Sequence, residues 1–332
     1  MNQDMSRRHF VKGSVLATTG AVLAANSSSV AVGAEAVAKT PDAPRPAAAA
    51  GALPKGKICG MEVSRILLGG NLLTHFTHSR ELKYVYALTR HYNTDAKILE
   101  TLAVAEQNGV NTLVIHTVPA ALKVLQQHRK ERGGKMQWII CTTAPIKPGL
   151  KEYRESVQKM VDDGTDAIYV WGVQTDALVK QGKAELIGEA VQVIKQHGVP
   201  TGVGAHDLEV IKASEKGKFG ADFYIKTFHH HNYRTGPKPD EIKTPNAEIP
   251  GYWCSHPQET ADFMKTVEKP WIAFKVMAAG AIPPRNAFRY VFENGADFSL
   301  AGMFDFEIAE DVKIASEVLA SLPKQRARPW RG

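Results

Sequence analysis

Short apolar runs rich in β-branched residues alternate with amphipathic stretches from residue 64 onward. This alternation is typical of a parallel α/β architecture. The predicted strands are Arg65–Gly69, Thr112–His116, Trp138–Thr142, Ala167–Trp171, Thr201–Gly204, Phe223–Thr227, Trp271–Val276 and Phe298–Ala301. The clearest predicted helices are Thr94–Asn108, Lys151–Asp162, Ala184–His197, Leu208–Lys216, Pro284–Glu293 and Glu307–Leu319. Because there are eight units and no G-x-G-x-x-G motif follows a strand, the pattern predicts an α/β fold closed into a (β/α)8 TIM barrel.

Two long insertions interrupt the alternation, and both follow predicted strands. The first extends from Asn71 to Asn93 and the second from His229 to Pro257. Barrel enzymes place their chemistry at the C-terminal ends of the strands, and long loops in compact domains are usually lids or binding loops. We therefore predict a site at this end of the barrel, beneath the insertions. The predicted substrate-binding residues are Asn71, Trp171, His229 and Asp305.

The N-terminal residues have the pattern of an export signal. Arg7 and Arg8 precede Phe10, an apolar run extends from Gly13 to Ala24, and Val32-Gly33-Ala34 fits a cleavage site. The paired arginines indicate the twin-arginine route. The apolar run is shorter than the roughly 20 residues that span a bilayer, so we expect no stable membrane anchor.

This pattern predicts four segments. They are a signal peptide (1–34), an Ala/Pro-rich linker (35–55), the barrel (56–322) and a basic tail (323–332). The expected partners are the twin-arginine export machinery and a small-molecule substrate, and the expected location is the periplasm or the medium. An exported enzyme lacks a supply of soluble nicotinamide, so any such cofactor is expected to be tightly bound.

Composition narrows the partners further. The 332 residues carry a formal net charge of +7, without a basic face that has interleaved aromatic residues, so nucleic acid is not expected. The three cysteines, Cys59, Cys141 and Cys254, are odd in number, and one lies in a predicted strand. They do not indicate a disulfide framework.

Five stretches resemble the aldo-keto reductase superfamily, in the order in which that family has them. They are Arg65–Gly70, Ala105–Thr112, Glu155–Val157 with Thr165–Val170, Gly202–His206, and Gly302-Met303 with Ile308–Asp311. The resemblance covers nearly the whole predicted barrel. It implies an oxidoreductase that acts on a small polar carbonyl compound, such as a sugar derivative, with tightly bound NADP as the implied cofactor.

The catalytic residues of that family are not matched. The resemblance would place an aspartate at the end of strand two with a tyrosine after it, a lysine at the end of strand three and a histidine at the end of strand four. This chain has His116, Thr142 and Trp171 at those ends. A reductase needs a proton donor at the carbonyl, so we expect the family's scaffold without its usual chemistry.

Two lysines near strand ends are candidate catalytic residues. Lys226 lies in predicted strand six and Lys275 in strand seven. Neighbouring ammonium groups and burial both lower a lysine pKa, and such a lysine can form a Schiff base with a carbonyl. The residues before Lys226 and after Lys275 resemble class I aldolases of the deoxyribose-phosphate type. The alternative is a lysine that points outward toward a carboxylate.

Histidines form a second candidate set. His116 and His206 end predicted strands and are candidate catalytic residues. Imidazoles from separate strand ends can bind a divalent metal, with His206, His229 and His231 as the ligands. Neither H-E-x-x-H nor paired C-x-x-C motifs occur, so we expect histidines that line a substrate cleft rather than a metal site.

Small residues follow the last two predicted strands. Gly280, Gly302 and Met303 lie where barrels often bind phosphate, so they are the predicted cofactor-binding residues. Close packing of helix on strand would explain them equally well. Three functions remain open: a reductase-like oxidoreductase, a lyase that uses Lys226 as a Schiff base, and a noncatalytic ligand-binding barrel.

Overall fold

The computed structural model describes residues 53–332, so the predicted signal peptide and nearly all of the predicted linker lie outside the described residues. Strands β1 (Lys55–Ile58) and β2 (Met61–Ser64) form an antiparallel hairpin. The other strands are β3 (Ile66–Gly69), β4 (Thr112–His116), β5 (Gln137–Cys141), β6 (Ala167–Val170), β7 (Thr201–Ala205), β8 (Phe223–Thr227), β9 (Trp271–Phe274) and β10 (Phe298–Ala301). These eight strands close into a parallel barrel in chain order. The predicted (β/α)8 TIM barrel is confirmed.

Helices cover the outside of the barrel. They are α1 (Tyr84–Tyr92), α2 (Asp95–Gln107), α3 (Pro119–Glu131), α4 (Lys151–Asp162), α5 (Gly172–Lys180), α6 (Glu185–Lys195), α7 (Leu208–Lys216), α8 (Pro257–Thr266), α9 (Pro284–Glu293) and α10 (Asp305–Ser321). The sequence pattern does not predict α1, α3, α5, α8 or the β1–β2 hairpin. Within residues 53–332, no helix combines the length and the apolar character needed to cross a membrane.

Side chains alternate between the two faces of the barrel wall, and this alternation decides which of them reach the pocket. In β8, Phe223 and Ile225 belong to the apolar cluster inside the barrel. Tyr224 and Phe228 belong to the larger cluster between the wall and the helices. Lys226 has the same parity as Tyr224 and Phe228, so its side chain leaves the wall on the helical side.

Residues 323–332 pack against the N-terminal end of the barrel and do not form the basic tail that the sequence predicts. Arg328 is fully buried and donates to Asp297 Oδ2 at 2.6 Å and to the carbonyl oxygens of Val267, Lys269 and Gly295. Burial of so large a cation is tolerated because its donors are satisfied.

The end of the chain also contacts the hairpin. A Cβ built at Gly332 would lie 2.8 Å from the carbonyl oxygen of Lys57, and one built at Gly56 would lie 2.7 Å from the carbonyl carbon of Gly332. We call this closed end of the barrel, formed by Asp297, Arg328, Gly332 and the β1–β2 hairpin, the floor. The barrel domain therefore extends beyond residue 322, and this end of the barrel is closed.

Candidate active site

A pocket of about 260 Å³ opens at the C-terminal ends of the barrel strands. Its walls come from every barrel strand except β5, or from the residues directly after it, and from both insertions. Its polar and aromatic lining includes Asn71, Phe76, His78, His116, Trp171, His206, Asn246, Glu248, Trp253 and Lys275. The predicted location of the site, at this end of the barrel and beneath the insertions, agrees with the position of the pocket.

Lys275 follows β9 and carries a partly buried amine into the pocket. Its Nζ lies 2.6 Å from His78 Nε2, and His78 Nδ1 forms a hydrogen bond with the Glu248 carboxylate. Because an ionised carboxylate only accepts, Nδ1 carries the proton and Nε2 accepts from the lysine. The three side chains form a continuous relay, Lys275–His78–Glu248, in which one insertion supplies the histidine and the other supplies the carboxylate.

The surroundings of Lys275 disfavour its charge. Burial lowers its pKa to about 7, although the carboxylates of Glu248 and Asp176 oppose the shift. The indole of Trp253 and the ring of Phe274 lie 5.3 and 5.4 Å from Nζ, which gives the remaining cation two aromatic faces. Lys275 therefore exchanges a proton near neutral pH, as an acid–base group requires.

His206 is held in place by Asp176 of α5. Its Nδ1 donates to Asp176 Oδ2 at 2.7 Å, and its backbone N–H donates to Oδ1 at 3.0 Å. The backbone N–H of Asp207 also donates to Oδ1, at 3.0 Å. With Nδ1 protonated, the neutral ring keeps its lone pair on Nε2. Burial lowers the pKa of His206 despite the bond to Asp176, so the ring is neutral at pH 7.

Aromatic rings form the apolar part of the pocket. His116 and Trp171 lie nearly parallel with centroids 6.5 Å apart, and Phe76 meets His116 edge-on at 5.8 Å. Burial lowers the pKa of His116, so this ring too is neutral at pH 7. Flat apolar faces beside the amides of Asn71 and Asn246 suit a small ligand that has both carbon–hydrogen faces and hydroxyl groups.

A second groove of about 440 Å³ adjoins the pocket and shares Asn71, Phe76, His78, Phe274 and Lys275 with it. It extends over the ends of β9 and β10 toward α9 and α10. Beyond the shared residues, its lining includes Arg80, Gly280, Gly302, Glu307 and Asp311. The two cavities together have room for an extended ligand, whose far end would lie beside the carboxyl groups of Glu307 and Asp311.

Comparison with known proteins identifies the architecture. No protein-family model and no curated protein sequence matches the chain. Among solved structures, it is similar to a Pseudomonas aeruginosa protein assigned to the aldo-keto reductases, with a TM-score of 0.56, 17% identity, and coverage of 82% of this chain and 99% of that chain. An aldo-keto reductase from Bacillus halodurans in its holo form gives a TM-score of 0.52, 11% identity, and coverage of 82% and 93%. The chain has the barrel fold of the aldo-keto reductases.

Lys226 does not reach the pocket of this reductase-like barrel. Its Nζ donates to Thr227 O at 2.8 Å and to Thr227 Oγ1 at 3.1 Å, and it lies 4.0 Å from Cys254 Sγ. It is buried on the helical side of the wall, whereas Lys275 lies in the pocket. The prediction that the two lysines converge is wrong, and with it the hypothesis of a Schiff base on Lys226.

The second insertion of the reductase-like barrel is held by histidines that the sequence pattern assigns to the substrate or to a metal. His229 is buried, and its Nε2 accepts the backbone N–H of Trp253 at 3.0 Å. Burial lowers its pKa to about 3. His231 Nε2 forms a bond of 2.7 Å with the carbonyl of Cys254. The prediction that His229 binds substrate is therefore wrong. Among residues 53–332, no group of three or more metal-ligating side chains is assembled.

The other predicted site residues divide between the two cavities. His116, Trp171 and His206 line the pocket, and Asn71 lines both cavities. Gly280 and Gly302 line the groove, whereas Met303 is buried beneath it. Asp305 lies outside both, because its carboxylate accepts from Tyr92 Oη at 2.7 Å and from Lys97 Nζ at 3.1 Å.

Four polar residues of the site are absent from the sequence prediction, namely His78, Asp176, Asn246 and Glu248. His78 and Glu248 belong to irregular segments 170 positions apart, where no periodicity indicates which side chain points inward. Asp176 lies in a helix that the sequence pattern does not predict. The only signal available in the sequence is the presence of polar residues in the two insertions.

Proposed function

We propose that this protein is an enzyme that acts on a small polar carbonyl compound, with Lys275 as the group that meets the carbonyl oxygen. The observation that carries the proposal is the partly buried amine of Lys275 in the pocket, hydrogen-bonded at 2.6 Å to a histidine that is itself bonded to a carboxylate. A partly desolvated acid–base group with a relay behind it, in a polar cleft at the C-terminal end of a barrel, is typical of a catalytic centre.

The relay defines what Lys275 does. Its ammonium form donates a proton to the carbonyl oxygen as negative charge develops there. The pKa of about 7 means that both forms are populated at neutral pH. His78 and Glu248 fix the position of the amine and take part in returning its proton.

The lining of the pocket supports a hydroxylated substrate. His116 and Trp171 offer parallel rings for the carbon–hydrogen face of a sugar, and the amides of Asn71 and Asn246 offer donors and acceptors for hydroxyl groups. The volume of about 260 Å³ suits a compound of three to six carbon atoms rather than an oligomer. We therefore propose a small sugar derivative as the substrate class.

Tightly bound NADP is the cofactor to test against the groove, because one fold neighbour (TM-score 0.53, 10% identity) was solved in complex with NADPH. A diphosphate is bound by cationic side chains or by free N–H groups at helix N-termini. Here α9 begins with Pro283 and Pro284, which lack N–H groups, and the first turn of α10 carries Asp305 and Glu307.

The helix N-termini beside the groove therefore offer little to a diphosphate, and the charged residues of the groove offer little more. Of its two strong cations, Arg80 donates to the carbonyl oxygens of Thr235 and Pro250, and Lys275 donates to His78. Glu307 adds negative charge, and Asp311, whose pKa burial raises to about 7, is partly ionised at neutral pH. The described residues therefore do not fit a diphosphate, so we propose chemistry that Lys275 and its neighbours perform themselves.

A second candidate function is Schiff-base chemistry on Lys275. The specific observation is the same low pKa, because the neutral amine is the nucleophile. Attack on a carbonyl carbon gives a carbinolamine, and loss of water gives the imine. Borohydride would trap this imine as a stable adduct on Lys275, and the lack of such an adduct with a substrate that is turned over would exclude it.

The test of the main proposal is the substitution Lys275→Met, which keeps the stem and removes the amine. Turnover of hydroxy aldehydes and ketones of three to six carbons, followed by NMR with and without NADPH, should fall by about 100-fold or more. Lys226→Met is the matched control, because it makes the same change on the neighbouring strand but on the other side of the wall. Its turnover should stay near that of the wild type. Full turnover by a folded Lys275→Met variant would refute the role of Lys275.

We also propose that the protein is exported by the twin-arginine route to the periplasm or beyond, as Arg7, Arg8 and the apolar run after them indicate. Replacing both arginines by lysine should retain the unprocessed protein inside the cell, as cell fractionation would show. Unchanged export of that variant would contradict the proposal.

A further inference from the structure

The pocket holds a second acid–base group that carbonyl binding alone does not require. His206 follows β7 and Lys275 follows β9, so only β8 separates the strands that carry them. Adjacent strands lie about 4.8 Å apart, so the two backbones are separated by about 10 Å. Both side chains line the same pocket, so a small substrate bound there lies beside both of them.

Asp176 gives His206 the arrangement of a general base. The carboxylate accepts Nδ1–H at 2.7 Å and two backbone N–H groups at 3.0 Å, so the ring can neither rotate nor change its tautomer without losing bonds. Nε2 therefore stays unprotonated. A histidine oriented by a buried carboxylate is the arrangement that proton abstraction needs.

We infer that the pocket enolises α-hydroxy carbonyl compounds, with His206 taking a proton from the carbon next to the carbonyl while Lys275 protonates the carbonyl oxygen. This inference rests on the proposed function, because it uses the same Lys275 at the same oxygen. It adds a reaction class, which is 1,2-proton transfer between an aldose and a ketose.

The steps balance without an oxidant or a reductant. The C–H bond breaks, its proton goes to His206 Nε2, and its electron pair forms the carbon–carbon double bond of an enediol. The π pair of the carbonyl moves to oxygen, which takes a proton from the Lys275 ammonium. Return of the proton to the same carbon, while the enediol hydroxyl gives its proton back to Lys275, regenerates the substrate. Return to the former carbonyl carbon gives the isomer, because the second hydroxyl gives its proton to Lys275 as it becomes the new carbonyl.

The ionisation states support these roles. Burial lowers the pKa of His206, with Asp176 opposing the shift and the charges of Lys275 and Lys226 favouring it, so the base is free at neutral pH. Burial lowers the pKa of Lys275 to about 7, so a large fraction still carries the proton that the acid role needs. Acid and base are therefore in their working forms at the same pH.

The experiment is proton exchange in D2O with the full-length protein and no added nicotinamide. The probes are dihydroxyacetone, D-glyceraldehyde and D-fructose, and proton NMR follows loss of the signal of the α-carbon proton and formation of the isomer. We expect exchange with at least one probe well above the buffer rate. His206→Gln should lower it by about 100-fold or more, and Asp176→Asn should also lower it by misplacing the ring. The exposed His91→Gln on α1 is the control and should behave as the wild type.

The outcomes separate the inference from the proposed function. Lack of exchange by the wild type with every probe would overturn the inference, and so would full exchange by a folded His206→Gln variant. If circular dichroism shows that His206→Gln does not fold, His206→Asn takes its place in the experiment. If the inference fails but the protein turns over a carbonyl compound by another reaction that depends on Lys275, the proposed function still stands. Conversely, exchange that persists in Lys275→Met would remove the proposed role of the lysine.

Discussion

Lys275 is the residue on which the proposed chemistry depends, and it is unfavourable for folding. Its backbone has φ of +55°, a left-handed conformation that residues other than glycine rarely adopt. Its amine is partly buried beside the neutral ring of His78. Residues held in strained backbone and unfavourable burial cluster at active sites. The position therefore has the properties of a site kept for function at the expense of stability.

This gives a prediction with a defined pH dependence. The folded pKa of Lys275 is about 7, below the roughly 10.4 of an unfolded lysine. Between about pH 7 and pH 10.4, Lys275 is protonated in the unfolded chain but largely neutral in the folded protein. Lys275 therefore destabilises the folded protein most below about pH 7, and this destabilisation decreases as the pH rises toward 10. Lys275→Met should raise the free energy of unfolding by about 1–2 kcal/mol at pH 6. Urea denaturation at pH 6 and pH 10 should show the gain shrinking at the higher pH, and a gain that is equal at both would contradict the assignment.

At the scale of elements, strand positions follow directly from the sequence. The eight predicted strands match the barrel strands to within two residues, because each is a short, mostly apolar run bounded by polar or glycine-rich turns. The side of the barrel wall to which each side chain points does not follow from the sequence. Phe223–Thr227 is buried throughout, as parallel strands usually are, so no alternation indicates that Lys226 points to the helices.

Elements with weak patterns escape prediction for identifiable reasons. Of the residues of α1, only Thr89 is buried, so the helix has no apolar face to detect. The β1–β2 hairpin turns at Cys59 and Gly60, which both have positive φ, and a cysteine is not a residue expected in such a turn. The end of the barrel at which the pocket opens follows from the sequence, because the C-terminal ends of parallel strands all lie at one end. The polar residues of the site depend on loop contacts that local sequence does not encode.

The two insertions form one cover over the pocket. Arg80 of the first donates to the carbonyl oxygens of Thr235 and Pro250 of the second, and His78 bonds to Glu248. Each insertion thus satisfies polar groups of the other, and together they shield Lys275 from water. A shielded amine interacts more strongly with a carbonyl than an amine exposed to solvent would.

At the scale of the whole molecule, the floor joins the last residues to the barrel through charge. Arg328 and Asp297 are both fully buried, and Asp297 also accepts the backbone N–H groups of Trp271 and Arg331. Removal of one partner of such a pair leaves the other charge uncompensated. The floor is therefore a major determinant of stability, although it lies at the end opposite the site.

Arg328→Ala should lower the free energy of unfolding by about 3–5 kcal/mol. The control is Arg285→Ala, which breaks the half-exposed pair with Glu317 and should cost about 1 kcal/mol or less. Thermal and urea denaturation measure both variants. If the two variants lost equal stability, Arg328 would not have the structural role assigned to it.

The contact between Gly332 and the β1–β2 hairpin also bears on how the chain can be reconnected. Because residues 56 and 332 touch, a linker of a few residues would join them without crossing the barrel. New termini could then be placed at Gly133, an exposed turn residue between α3 and β5 where an added Cβ would meet nothing within 4 Å. Such a circular permutant would keep every strand neighbour and leave the pocket intact, while β5 to β10 would be synthesised before β3 and β4.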